Sequence, residues 1–378
     1  MPASCSFSLV TQQPDEVAAM VSQAIARLGA PAGGAVVFLG GSVGRSVVEV
    51  ARAVAAVSSG IPMVVAAGAG VMSDKGEHEQ VSAASGIAWR GKPSATFVLD
   101  IDPSEGSLTD RVLAACATAL GGRPGSVALF AAGDVVSPTD LYGLDRAGLG
   151  TSIFGGGCVG RPGAAAIVDG RVLAGDVVGL AIRAPANPIV RASPACRLLG
   201  ELEPVTQAEG ALILRVGDRS ALEALSAVAP RAPRGQVVVL AVEVPGTEER
   251  RAQLMIRGIR GVHEPRAALV VSEDLSVGRR VAFAVVDPLA AKSDLHASLG
   301  EMARETRGGV PLFGMYIDCA GRGSALYGEK DVDVQLIRDR WPGLPFAGVK
   351  STFEIGPGRA GMTAHLYSGV FALFHAPS

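Results

Sequence analysis

A chain of 378 residues exceeds what one core of ordinary size encloses, so its length predicts two domains. Hydrophobic residues make up 48% and mean hydropathy is +0.35, yet no apolar run approaches the roughly 18 residues that cross a bilayer, which argues against a membrane partner. A formal charge of −2 with dispersed Lys and Arg, and only 4% aromatic residues, argues against a nucleic-acid partner.

The opening Met1-Pro2-Ala3-Ser4-Cys5 has no basic region followed by a long apolar block, which predicts a cytoplasmic protein. Apolar residues at Val17, Met20, Val21, Ala24, Ile25 and Leu28 predict a helix over Glu16 to Leu28. Ala35 to Leu39 reads as a buried strand that ends in Gly40-Gly41-Ser42-Val43-Gly44-Arg45-Ser46 and feeds a helix over Val47 to Val57. The Gly-Lys-Ser/Thr ending of a phosphate loop is absent, so this turn is read as tight packing. Ile61 to Ala67, Gly86 to Trp89 and Ala95 to Ile101 follow as strands, Asp110 to Leu120 as a helix, and Ser126 to Ala131 and Gly148 to Phe154 as strands. Asp169-Gly170, between strands at Ala164 to Val168 and Asp176 to Ile182, is a hairpin signal that predicts an antiparallel meander.

Ala184 to Pro204 carries the composition of a linker, placing domains at 1–200 and 201–378. Beyond it lie strands at Ala211 to Val216, Val237 to Val244, Leu254 to Ile259, Ala267 to Val271 and Arg279 to Val286, with helices at Ser220 to Val228 and Asp294 to Thr306. Arg257 and Arg260 alternate with apolar residues and are read as a solvent face. Ile61 to Gly70 and Leu344 to Gly348 share an apolar-Pro-apolar lead-in to a glycine-bearing strand, and Gly148 to Gly160 is a third variant without the proline. The recurrence predicts duplication of one α/β unit. The expected fold is α/β, with two related halves whose mixed, mostly antiparallel sheets pack together under flanking helices.

Candidate chemistry gathers in Pro311 to His375. An apolar strand, Gly314 to Ile317, runs into Asp318-Cys319-Ala320-Gly321-Arg322-Gly323, and a second strand leads into Lys350-Ser351-Thr352-Phe353-Glu354. Arg322 on a glycine turn offers a planar fork to a carboxylate or pairs with Glu354 or Asp318. Glu354 receives a ligand ammonium or pairs with Arg322 or Lys350. Asp318 accepts an amine or caps the turn, Tyr327 lines a pocket or packs, and Ser351 offers a hydroxyl. Cys319 is a buried thiol or, with His365 as base, a nucleophile. Five scattered cysteines without a CxxC pair and five dispersed histidines predict neither disulfides nor a metal site, and no cofactor is expected.

These C-terminal motifs, with Leu326-Tyr327-Gly328, Pro345-Phe346-Ala347-Gly348, Phe353 to Pro357 and His365 to Ser368, resemble in order the C-terminal half of the FIST family. Ala35 to Phe38, Pro62 to Gly70 and Gly155 to Gly157 resemble its N-terminal companion domain. The resemblance implies a sensory, signal-transducing module that binds a small ligand such as an amino acid, without established catalysis. Asp318, Cys319, Arg322, Tyr327, Lys350, Ser351, Glu354 and His365 are then the expected ligand-binding residues, and output passes to a separate signalling protein. The alternatives are a cysteine-dependent hydrolase or transferase, and a protein-interaction scaffold without a small ligand.

Overall fold

The computed structural model describes residues 2–141, 143–146, 150–183, 188–233, 235–243, 254–306, 308–358 and 361–376. The chain begins with β1 (Ser4–Val10), α1 (Pro14–Leu28), β2 (Ala32–Gly40), α2 (Val47–Val57), β3 (Met63–Gly68), β4 (Gly70–Ser73), β5 (Gly76–Glu79) and β6 (Ala83–Arg90). The same strand order follows, with short 3-10 turns in place of α2, in β7 (Ala95–Leu99), α3 (Leu108–Leu120), β8 (Gly125–Ala132), β9 (Thr151–Cys158), β10 (Ala164–Val168), β11 (Arg171–Gly175) and β12 (Val177–Ile182). It starts a third time at β13 (Ile189–Pro194), where an insertion intervenes: β14 (Cys196–Leu198), β15 (Glu203–Glu209), β16 (Leu212–Val216), β17 (Arg219–Ser220), α4 (Ala221–Val228), β18 (Val238–Glu243), β19 (Leu254–His263), β20 (Ala268–Val271) and β21 (Arg280–Val286). The third unit resumes with α5 (Pro288–Glu305), β22 (Val310–Cys319), α6 (Ser324–Tyr327), α7 (Val332–Arg340), β23 (Phe346–Ser351), β24 (Glu354–Pro357), β25 (Met362–His365) and β26 (Ser368–Ala376).

The recurrence in the sequence is thus a triplication. Three six-stranded sheets have matching orders: β1-β6-β2-β3-β10-β11, β7-β12-β8-β9-β24-β25 and β13-β26-β22-β23-β4-β5. Each contains one parallel pair, β2 with β3, β8 with β9, or β22 with β23. Each also receives a hairpin from another unit, so the sheets interlock in a cycle across residue 200. The fold class is mixed α/β, as the sequence predicts.

Strand alternation explains the layers. Val36 and Phe38 of the first sheet, Ala128 and Phe130 of the second, and Met315 and Ile317 of the third meet in one central core. Their neighbours face outward: Val37 and Leu39 under α1 and α2, Val127 and Leu129 under α3, and Tyr316 under α5 and α7. Each buried large apolar side chain contributes about 1.5–3 kcal/mol, so strands apolar on both faces require this double cover. Gly155 has φ +146°, and a Cβ there would strike the Leu129 carbonyl, so only glycine lets β9 lie against β8 at this point.

The hairpin at Asp169-Gly170 forms as predicted, with φ +48° and +77° at its two turn residues. The expected meander stops there. β11 stays beside β10 in the first sheet while β12 crosses to pair with β7 and β8 in the second, because each hairpin completes a neighbouring sheet. Residues 148–149, 184–187 and 244, at the margins of predicted segments, lie outside the described residues. The strands predicted for the insertion, joined by β15, which the sequence reading lacks, form an antiparallel ring, β18-β21-β15-β16-β20-β19, that closes back on β18 around a core including Ile213, Leu240 and Phe283.

Candidate functional site

The three parallel pairs end in corresponding registers with different chemistry. In the first, Leu39 lies opposite Ala67 and Gly40 opposite Gly68; in the second, Ala131 opposite Gly157 and Ala132 opposite Cys158. In the third, Asp318 lies opposite Lys350 and Cys319 opposite Ser351. Two copies therefore build the same strand ends from uncharged residues, so the fold does not demand the charges of the third.

Those charges form one buried network. Lys350 Nζ lies 2.8 Å from Asp318 Oδ2, 3.1 Å from Glu77 Oε2 and 3.4 Å from Glu79 Oε1. Arg322, 1% exposed, sits 3.0 Å from Asp318 and grips Asp333 through Nε and Nη2, both at 3.1 Å. Its Nη1 donates to the Ser193 carbonyl at 3.2 Å and its Nη2 to Tyr327 Oη at 2.9 Å. Tyr327 and Tyr316 donate to Asp333 at 2.7 and 3.0 Å. Glu77 is clamped to the start of α7, accepting from the Asp331 N–H while its own N–H donates to the Asp331 carboxylate, each at 2.6 Å. Two cations thus face four carboxylates. Burial pushes Asp318 up to about 6 against the pull of Lys350, whereas Arg322, opposed by burial, is held well above its ordinary value by Asp333.

Of the expected ligand-binding residues, Asp318, Arg322, Tyr327 and Lys350 come together and mostly answer one another, although Asp318 Oδ1, 3.0 Å from Arg322 Nε, makes no hydrogen bond. The guanidinium of Arg322 faces internal acceptors. Glu354 pairs with neither Arg322 nor Lys350. It forms a separate group, its carboxyl 3.0 Å from Ser351 Oγ and accepting the Ser368 N–H at 3.1 Å, and burial raises it well above the carboxylate range. The same Ser351 hydroxyl lies 3.0 Å from the Asp318 carbonyl. The sequence reading missed Glu77, Glu79, Asp333 and Tyr316. Alternation of Glu77 and Glu79 on one face of a strand was the available signal, obscured because Ser73 to His78 reads as a polar loop.

Cys319 and His365 do not form an activated pair. Burial, with Glu354 adding to it, pushes the Cys319 thiol up to about 12, and its sulfur accepts the Gly321 N–H at 3.4 Å. Burial and the nearby Arg257 lower His365 to about 4, leaving a neutral ring. At neutral pH such a thiol stays protonated and unreactive. Mass mapping after brief alkylation at pH 7 is expected to find half-buried Cys5 modified before Cys319. Fast labelling of Cys319 that disappears in His365→Ala would restore the cysteine-enzyme reading.

An open cavity lies beside this segment. It measures about 250 Å³ and is lined on one side by Gly133, Ser137, Thr352, Phe353 and Leu366 of the interlocked sheets, and on the other by Arg257, Arg260 and Ser272 of the inserted ring. Arg257 is buried, with Nε 2.5 Å from Glu273 and Nη1 donating to the Ile256 carbonyl at 2.9 Å. Arg260 is exposed and has no ion-pair partner among the described residues. A strict strand would send residues 257 and 260 to opposite faces, but the register of β19 shifts between Ile259 and Gly261, and both line the cavity. The predicted solvent face holds for Arg260 alone.

Among the described residues, no group of His, Cys, Asp and Glu could hold a metal ion, and no helix is long and apolar enough to cross a membrane. Comparison with known families matches the FIST N domain to residues 34–219 and the FIST C domain to residues 221–357. Among curated relatives, the uncharacterized protein Rv0628c of Mycobacterium tuberculosis is 33% identical over 241 residues. The uncharacterized protein Mb0898c of Mycobacterium bovis is 30% identical over 242 residues. Each alignment covers 60% of this chain and 61% of the relative. With its N-terminal and C-terminal domain matches together spanning most of the sequence, the chain belongs to the FIST family.

Proposed function

We propose that this FIST protein is a cytoplasmic sensor that takes a small carboxylate-bearing ligand, such as an amino acid, and passes its state to a separate signalling protein. The observation that carries this reading is Arg260, a guanidinium without an ionic partner among the described residues, on the wall of the cavity between the inserted ring and the interlocked sheets. A planar fork of this kind matches a carboxylate. Ser137, Ser272 and Thr352 add polar groups around it, and Phe353 and Leu366 supply an apolar floor. The expected ligand class is retained, while its seat moves next to Ser351, Glu354 and His365 rather than onto Arg322.

A thermal-shift screen of amino acids and simple carboxylates tests the reading. A ligand at 100 times its Kd stabilises by about 2.7 kcal/mol, and Arg260→Ala is expected to abolish the shift. Either the absence of any stabilising compound or a shift unchanged in Arg260→Ala would count against it. Arg260 is exposed, so its truncation leaves the core intact.

A further inference from the structure

We infer that the inserted ring is a hinged cover over the Arg260 cavity, pivoting at Ala195 and Asp287 and held shut by Tyr367. The insertion runs from β14 to β21 and encloses its own core, so it can move without unfolding. Its two connections to the rest of the chain lie side by side, the Asp287 N–H donating to the Ala195 carbonyl at 2.9 Å. Both are anchored on the far side of this pivot. Arg322 Nη1 donates to the Ser193 carbonyl at 3.2 Å, and the Asp287 carboxylate caps α5 by accepting the Leu289 and Ala290 N–H groups at 3.0 and 2.9 Å. Motion is thereby confined to a few residues at the ends of elements, the usual form of a hinge.

Polar contacts between ring and sheets are long. Arg257 Nη1 stands 3.5 Å from the Ala364 carbonyl, and Thr363 Oγ1 stands 3.8 Å from Met255 Sδ. The outer face of the ring carries a small apolar cluster around Val239, Ala241, Ile256 and Ala284, and of the described residues in it Tyr367 alone comes from outside the insertion. Tyr367 sits at φ +54°, a left-handed conformation that glycine adopts more easily than a bulky residue. Its aromatic side chain is kept on the ring against that backbone preference. Its carbonyl accepts the Ala195 N–H at 3.0 Å, so the latch touches the pivot, and Leu366 beside it is part of the cavity wall. A swing about this point separates Arg260 and Ser272 from Thr352 and Phe353 and opens the cavity. As the gate of a ligand site the hinge rests on the function proposed above, but the motion is tested without any ligand.

Spin labels at Val135, beside the sheet wall of the cavity, and Val262, in β19, measure it in the full chain by double electron–electron resonance. Both positions are exposed. The labels attach to Val135→Cys and Val262→Cys in a Cys5→Ser background, where burial pushes the other four native thiols up to about 12 and slows their labelling. A second, longer distance is expected to gain about tenfold over the closed one in Tyr367→Gly, which suits the backbone and removes only the latch. Tyr367→Phe is expected to keep the parental distances. Hydrogen-exchange protection of β16 and β20, inside the ring, is expected to stay unchanged in both variants. Unchanged distances in Tyr367→Gly, an equal shift in Tyr367→Phe, or lost protection in β16 and β20 would overturn the inference. A failed ligand screen leaves these distances as they are, and fixed distances leave Arg260 as a seat, so the two proposals fail separately.

Discussion

Arg322→Ala is expected to lower the unfolding free energy by about 3–5 kcal/mol, the usual consequence of removing one partner from a buried ion-pair network. The guanidinium answers Asp318, Asp333, the Ser193 carbonyl and Tyr327 together. Its loss leaves Asp333 buried with only two tyrosine hydroxyls, and Asp318 with Lys350 alone. Arg322→Lys is expected to recover only part of the loss, because an ammonium is a point charge and cannot span two carboxylates and a carbonyl in one plane. Denaturant titration followed by near-ultraviolet circular dichroism measures both. A loss below about 1 kcal/mol for the alanine variant would mean that the network is hydrated or rearranges freely.

Much of this architecture is legible in the sequence because it depends on local periodicity. The helix over α1, the strands around Ala35, Ser126 and Tyr316, and the Asp169-Gly170 turn follow from apolar spacing and turn chemistry. The Ile61 and Leu344 segments announced the repeat, and Gly148 to Gly160 marked its third copy. What stayed hidden is long-range. Nothing near Gly76 says that its hairpin completes a sheet with β23, so Glu77 and Glu79 could not be placed beside Lys350. The site was legible as a list of residues and not as a set of partners. Arg322 looks available on its glycine turn until Asp333, eleven residues later in α7, is folded against it. Arg260 looks like ordinary surface until the register shift in β19 turns it toward Phe353.

Lys350→Ala is expected to cost about 3–5 kcal/mol for the same reason, since Asp318 and Glu77 then lose their nearest cation. The deficit has a predictable pH dependence. Asp318 is already raised to about 6, and loss of Lys350 raises it further. A carboxyl whose folded pKa lies above its unfolded one supports folding fully below the unfolded value and loses that support as pH rises through the folded one. The deficit of the variant is therefore smallest in acid and grows toward neutrality. The decisive comparison adds Asp318→Leu, which recreates the Leu39 and Ala67 pairing of the first unit at this register. No carboxylate is then stranded at position 318, and Arg322 keeps its fork on Asp333, so the double variant is expected to be more stable than Lys350→Ala by about 2 kcal/mol. A double variant no better than the single one would show that the network is integral to packing in this unit. Recovery all the way to the stability of the parent would show that the buried charges add little net stability over the apolar pair used elsewhere in the same chain, whereas the partial recovery expected here assigns them the remaining difference.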